Sequence, residues 1–270
     1  MSNRTGHMVG REVFMQHIAQ RLGRQEPLAV APVHPYRGVP EHYEAISLSP
    51  EENLDVFISN WTALTGKVLL VKQADAEQAI QAYVQHICRE FGVTRAVMWD
   101  TEPLHGLGIE AAMAQAGVAL VPWRELAPEE LSKLESAAAL AEADARALAT
   151  SAQEQAKLSP LLTAAERCQL GIVWPEYAIA NTGTLTLFAQ GAQGRSVSLL
   201  PDILLAIFRA DQVVTRMGQM FDRLRHTYPD VRHLPSSINL ITGPSRSADI
   251  ENDLTIGIHG PGKVHAVIIV

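Results

Sequence analysis

The sequence predicts an α/β protein: a Rossmann-like three-layer sandwich with a mostly parallel sheet. Three apolar runs of strand length carry this reading, KVLLV (Lys67–Val71), RAVMW (Arg95–Trp99) and VALVP (118–122). Segments with helical apolar spacing lie between them. An order of strand, helix, strand, helix, strand needs crossover connections. Such connections run the strands parallel and cover both sheet faces with helices.

The elements follow in order. Val13, Phe14, His17, Ile18 and Leu22 recur at helical spacing among Arg11, Arg21 and Arg24, which predicts a short basic amphipathic helix. The stretch EPLAVAPVHPYRGVPEHY is rich in prolines and small residues and reads as an extended linker. Residues 1–45 are therefore expected to form a helical arm and linker, and residues 46–270 the α/β domain. The arm either packs on its own domain or docks on another subunit. Ser49-Pro50-Glu51-Glu52 is a helix start with a capping box. Leu54, Phe57, Ile58, Trp61 and Leu64 form its apolar face, and Gly66 is its expected stop.

Asp75 and Gln78 open the next helix. Its buried stripe is Ile80, Tyr83, Val84, Ile87, Cys88 and Phe91, and Gly92 is its stop. A helix is expected over 108–116 and an alanine-rich peripheral helix over 128–149. Helical pattern runs from 159 to 166. Strands are expected in QLGIVWPEYAIANTGTLTLF, in SVSLLP after a glycine-rich turn at 190–194, in the apolar run that follows it, in SINLIT and in VHAVIIV. A helix is expected over 214–225.

Composition narrows the function classes. With 47% hydrophobic and 19% charged residues, the 270-residue chain can bury a substantial core. A net charge of −7 disfavours a general nucleic-acid footprint and an anionic membrane surface. No apolar run approaches the roughly 20 residues of a transmembrane helix, and the first residues lack an apolar signal core. The expected compartment is the cytoplasm. Two cysteines, Cys88 and Cys168, cannot supply a four-thiolate iron–sulfur or zinc site. The ten histidines show no paired metal spacing. No GxGxxG follows KVLLV, and no phosphate loop or GxSxG elbow is present; Asp100 and Glu102 after RAVMW are a weak sign of a ribose-binding acid.

Three polar stretches interrupt the apolar pattern. In ITGPSRSADIENDLTIGIHGP, a strand leads into Gly243-Pro244-Ser245-Arg246-Ser247. Glycine allows close backbone approach, the serines add hydroxyls, and Arg246 can grip a carboxylate or phosphate through two hydrogen bonds. The loop is expected beyond the carboxyl end of its strand, where open α/β sheets hold ligands, and a helix starting here adds free N–H groups to an anion site. Without a ligand, Ser245 or Ser247 caps that helix and Arg246 pairs with Asp249 or Glu251. The second stretch is Asn181-Thr182-Gly183-Thr184, which either faces a ligand or forms a bulge or tight turn. Glu176 lies upstream as a possible base. The third is His259-Gly260-Pro261, where His259 either exchanges protons or supports a turn. The candidate ligand-binding residues are Thr182, Gly183, Thr184, Gly243, Ser245, Arg246, Ser247, Asp249 and His259.

These stretches resemble the LUD domain of the lactate-utilisation protein C family. The likeness rests on YAIANTGTLTLF, SVSLLP, ADQVV and SSINLITGPSRSADIENDLTIGIHGP, with TGT, GPSRSADIE and HGP in that order, and on the HIAQRLGR arm. The family more often carries an acid before TGT, where this chain has Asn181. The resemblance implies a NagB/RpiA/CoA-transferase-like fold. It also implies a part in oxidising L-lactate to pyruvate, with iron–sulfur clusters in two partner proteins and no cofactor held by this chain. One alternative is a stand-alone enzyme acting on a small anion, such as a phosphosugar, a CoA ester or a folate-like compound, at the GPSR site; another is a pure scaffold with an empty pocket.

Overall fold

A computed structural model of the chain describes residues 10–30, 33, 46–125, 127, 129–130, 160–248 and 254–270. The chain divides into two compact units, Met1–Ile46 and Ser47–Val270. The first contains helix α1 (Arg11–Arg21). In the second, α2 (Pro50–Ala63), β1 (Lys67–Val71), α3 (Ala76–Phe91) and β2 (Arg95–Trp99) are followed by α4 (Glu102–His105), α5 (Ile109–Gln115) and β3 (Ala119–Trp123). Then come α6 (Pro160–Glu166), β4 (Leu170–Val173), β5 (Tyr177–Ile179), β6 (Thr184–Ala189), α7 (Ser196–Leu199) and β7 (Ile203–Arg209). The last elements are β8 (Val213–Val214), α8 (Met217–Thr227), β9 (Ser237–Ile241), β10 (Arg246–Ala248), β11 (Leu254–Ile256) and β12 (Lys263–Ile269). The peripheral helix expected over 128–149 falls almost wholly outside the described residues.

Six strands form one parallel sheet in the order β1-β12-β7-β4-β2-β3. Side chains alternate between faces, so the register assigns the helices to layers. On β12, His265 lies opposite Lys67 of β1 and Leu205 of β7, and its ring meets Tyr83 of α3. Ile268 lies opposite Phe208 of β7 and points to the other face. There Phe208 meets Phe57 of α2 edge-on, with ring centroids 5.5 Å apart. Helices α2 and α3 therefore cover opposite faces, which gives the three layers the sequence predicts. The central strands β2, β4 and most of β7 are buried throughout, as befits a parallel sheet covered on both sides.

A second sheet, ordered β8-β5-β6-β9, packs its β5–β6 turn against α2. It is mixed: β5 and β6 form a hairpin, β9 runs antiparallel to β6, and β8 runs parallel to β5. Helix α2 thus has one side on the parallel sheet and another on the hairpin tip. Phe57 and Trp61, both fully buried, stack with ring centroids 5.7 Å apart.

Several sequence expectations change. SVSLLP is not a strand: Ser196–Leu199 forms the short helix α7. Its backbone lies against β4, and a Cβ added at Gly171 would come within 1.9 Å of the Val197 carbonyl oxygen. The helix expected from 214 starts at Met217, because Val213 and Val214 pair with β5. The sequence left the strand order open; β12, β7 and β4 lie between β1 and β2. α2 ends before Gly66. Thr65 takes the left-handed backbone conformation at φ 70°, and Gly66 serves another purpose, since a Cβ there would meet the Trp61 indole nitrogen at 2.3 Å.

The start of α2 follows the sequence closely. The Ser49 hydroxyl accepts from Glu52 N at 3.2 Å, and the Glu52 carboxylate accepts from Ser49 N at 2.8 Å. Losing a cap of this type costs about 0.5–2 kcal/mol. Ser49→Ala is expected to lower unfolding free energy by about 1 kcal/mol in urea titrations with an unchanged m-value. Ser49→Asp should retain most of it.

Candidate functional site

Two of the three polar stretches meet the end of α2, and the third joins them through Ser245. Thr182 and Gly183 sit at the tip of the β5–β6 hairpin. Gly183 is left-handed at φ 59°, and an added Cβ would lie 2.8 Å from Trp61 N. Asn60 of α2 reaches across, its Nδ2 donating to the Ala180 carbonyl at 2.9 Å. The tip is thus a tight turn pressed against a helix. Its hydroxyls do not fold back on their own backbone. Thr182 Oγ1 and Thr184 Oγ1 share a hydrogen bond at 2.8 Å, and Thr184 Oγ1 and Thr242 Oγ1 share one at 2.7 Å. Thr184 is buried, whereas Thr182 and Thr242 are exposed. The result is a three-hydroxyl chain with both ends open to solvent.

Thr242 follows β9 and leads into the GPSRS stretch. Gly243 turns at φ 72°, and a Cβ there would stand 2.9 Å from the Leu64 side chain. Ser245 N donates to the Pro261 carbonyl at 2.8 Å, Gly257 N donates to the Ser245 carbonyl at 3.0 Å, and His259 N donates to Ser245 Oγ at 3.3 Å. GPSRS and HGP are therefore one knitted loop pair. Arg246, exposed, donates from Nη2 to the Leu64 carbonyl at 2.7 Å and to Thr65 Oγ1 at 3.4 Å. Leu64 caps the C-terminus of α2, where carbonyls lack helical partners and carry partial negative charge. Arg246 supplies a cation to that end.

Two expectations about this loop are corrected. No helix begins at 244–248: Arg246, Ser247 and Ala248 pair with Ile256, Thr255 and Leu254 in the β10–β11 hairpin. Leu254, Thr255 and Ile256 have the β-branched and apolar character that favours a ribbon, so no helix dipole acts on Arg246 from this segment. Asp249 and Glu251 lie outside the described residues. The loop also does not lie beyond the carboxyl ends of the parallel strands. β9 belongs to the second sheet, and the loop abuts Leu64–Thr65 and Pro261, which precede the amino ends of β1 and β12. His259 supports this turn through its backbone, and its side chain is exposed.

Glu176 does not join this cluster. It lies at the opposite end of the β5–β6 ladder from Thr184, which pairs with Ile179, about 10 Å along the strand at 3.4 Å per residue. Its carboxylate accepts from Phe188 N at 3.0 Å and from Gln193 Nε2 at 2.8 Å. Burial raises the carboxyl to about 7 and outweighs those hydrogen bonds. Asp100 is not a free ribose acid either: His105 Nε2 lies 2.8 Å from Oδ1 and Arg124 Nε 3.4 Å from Oδ2. Among the described residues no group of three or more His, Cys, Asp or Glu side chains forms a metal cluster.

The sequence model of the LUD domain matches residues 54–269. This chain belongs to the LUD-domain family. It is 29% identical to lactate utilization protein C of Shouchella clausii over 259 residues, covering 96% of this chain and 97% of that one. It is 30% identical to the YkgG protein of Escherichia coli over 268 residues, covering 97% and 99%. Lactate utilization protein C of Bacillus subtilis is 45% identical over a shorter stretch of 105 residues, 39% of this chain and 44% of that one. A crystal structure of a DUF162 family protein from Deinococcus radiodurans superposes with a TM-score of 0.50 at 18% identity, covering 83% of this chain and 100% of that one. That likeness concerns the fold alone.

Within the LUD domain, Thr242, Asn60 and the end of α2 complete the cluster and were not singled out in the sequence. Thr242 carried a signal: it is a hydroxyl just past an apolar strand, as in TGT. Asn60 and Leu64 carried none, because their role depends on distant packing. A pH test follows from Glu176. Its raised folded value means that the native state keeps a proton the unfolded chain has released, between the usual 4.5 and about 7. Stability should therefore fall as pH rises across that window and level off above it. Denaturant midpoints of the wild type and Glu176→Gln, measured from pH 4.5 to 8, check this: the variant should lose the decline.

Proposed function

We propose that this LUD-domain chain is a component of a system that oxidises L-lactate to pyruvate, working with two iron–sulfur partner proteins in the cytoplasm. The observation that carries this reading is the likeness to a protein named lactate utilization protein C over nearly the full length of both chains. A second such protein, from Halalkalibacterium halodurans, is 27% identical over 96% of this chain. TGT, GPSRS and HGP, the stretches that resemble the family, meet in one cluster, which supports a shared role for them.

A division of labour fits the chemistry of the chain. Cys88 and Cys168 are buried and free. Cys168 donates to the Ala164 carbonyl at 3.3 Å, and burial pushes its thiol up to about 12. Cys88 sits against Met113 sulfur at 3.7 Å. Both thiols serve packing, and two would not complete a four-thiolate cluster. In this reading electrons pass through the partners. The LUD domain contributes the exposed Arg246 and Thr182, placed to meet a small anion or a partner's acidic surface. Among the described residues no helix is long and apolar enough to cross a membrane.

Deleting the gene is expected to stop growth on L-lactate and to leave growth on glucose intact. Arg246→Lys tests the cluster. A lysine can still donate to the Leu64 carbonyl but lacks the planar two-pronged donor, so the variant should melt near the wild type yet restore growth on L-lactate poorly. Undiminished growth of the deletion strain, with the partners present and no redundant system, would rule the proposal out.

A further inference from the structure

Beside the loop cluster lies a cleft of about 450 Å³, within the range of about 300–1,000 Å³ usual for small-molecule sites. Thr65 and Gly262 form the wall it shares with the cluster. Its other walls come from the amino ends of β1 and β12 and the last turns of α3. Lys67 and His265 are register partners on adjacent strands, and Lys263 lies two residues before His265. All three therefore point to the sheet face that α3 covers.

The chemistry of the cleft is uneven. Lys67 and Lys263 are exposed at its rim. Lys263 Nζ stands 5.1 Å from the Phe91 ring centroid, and Phe91 supplies an apolar wall. His86 Nε2 lies 3.2 Å from the carboxylate of Glu90, the one acid in the lining. Deeper in, the Tyr83 hydroxyl and His265 Nδ1 share a hydrogen bond at 2.8 Å. His265 is 5% exposed. Burial first, and then the positive charge of Lys67, His86 and Lys263, lowers it to about 4. At neutral pH its ring is uncharged, and the positive character of the cleft comes from the two lysines.

We propose that this cleft is a binding site for a small organic oxyanion. Its carboxylate or phosphate head meets Lys67 and Lys263, its apolar body lies along Phe91, and a polar group reaches the Tyr83–His265 pair. Two ammonium groups converging on one opening repel each other and gain from an anion between them. The pair of buried, neutral His265 and half-buried Tyr83 offers a donor and an acceptor of the kind that fixes orientation in a pocket. The site does not depend on the lactate reading. It is tested on purified protein, so a normal growth phenotype and an empty cleft are separate results.

The probes are sodium benzoate, sodium pyruvate and sodium phosphate, titrated calorimetrically into the full chain at low ionic strength. Benzoate or pyruvate is expected to bind saturably. The double variant Lys67→Ala/Lys263→Ala should weaken that binding about tenfold or more, while Lys72→Ala, an exposed lysine just past the other end of β1, should change it less than about twofold. Tyr83→Phe, which keeps the ring and removes only the hydroxyl, should weaken it by about threefold or more. Phosphate binding alone would point to a charge-only site and overturn the organic-ligand proposal. The absence of saturable binding, or binding equal in the wild type and the double variant, would overturn it as well.

Discussion

The structure turns on the last turn of α2, where Trp61 is buried against backbone on several sides. Its indole nitrogen donates to the Lys67 carbonyl at 3.1 Å, which ties the helix to the start of β1. Gly66 passes so close beneath the ring that a side chain there would overlap it, and Gly183 closes on the Trp61 backbone from the hairpin side. Gly243 turns against Leu64, one helical turn further along. Three glycines from three separate stretches are thus used for close approach to one helix end. Truncating a buried tryptophan costs about 3–5 kcal/mol, and here the loss would also release the loops that the helix end positions.

This constraint explains why the polar motifs lie where they do. The usual place for a ligand in an open parallel sheet is beyond the carboxyl ends of the strands. At that edge the chain instead holds Glu176 and Asp100 in hydrogen bonds and ion pairs. The exposed hydroxyls, Arg246 and the lysine-rimmed cleft gather at the amino edge, where the end of α2 and the starts of β1 and β12 meet. The carbonyl end of α2 favours positive charge nearby, and Arg246 meets that demand. The same exposed guanidinium remains available to the solvent side.

The fold class was legible because parallel strands buried on both faces show as continuous apolar runs. KVLLV and RAVMW became β1 and β2 with the expected limits, and the capping box at Ser49 formed as read. Strand order was not legible: β12 inserts between β1 and β7 from almost 200 residues away, a choice made by tertiary packing. SVSLLP misled because its apolar residues suit a buried strand or a buried turn of helix equally, and the room left by Gly171 decides between them. At the site, periodicity could not say that Arg246–Ala248 joins a ribbon, because the three-residue ladder depends on its partner strand. In sequence Tyr83 reads as part of a buried helix stripe and His265 only as a position in the last strand, and only the register of β1 and β12 reveals that two lysines share their face.

Gly183 and Gly243 now have a physical cause that requires no ligand: each is held by contact with α2. Their presence therefore argues for the shape of the helix end and says little about chemistry. What packing does not require is more informative. The helix end needs a cation near Leu64, but a lysine would meet that need as well as the planar guanidinium. The hairpin tip needs Gly183, but it has no steric need for hydroxyls at Thr182 and Thr184, nor has the end of β9 for one at Thr242. Thr184, buried, spends its hydroxyl on its two neighbours, which leaves Thr182 and Thr242 as the open ends of a polar path. The chemistry of the cluster is thus best sought at Arg246, Thr182 and Thr242, the positions where the side chain exceeds what the fold demands.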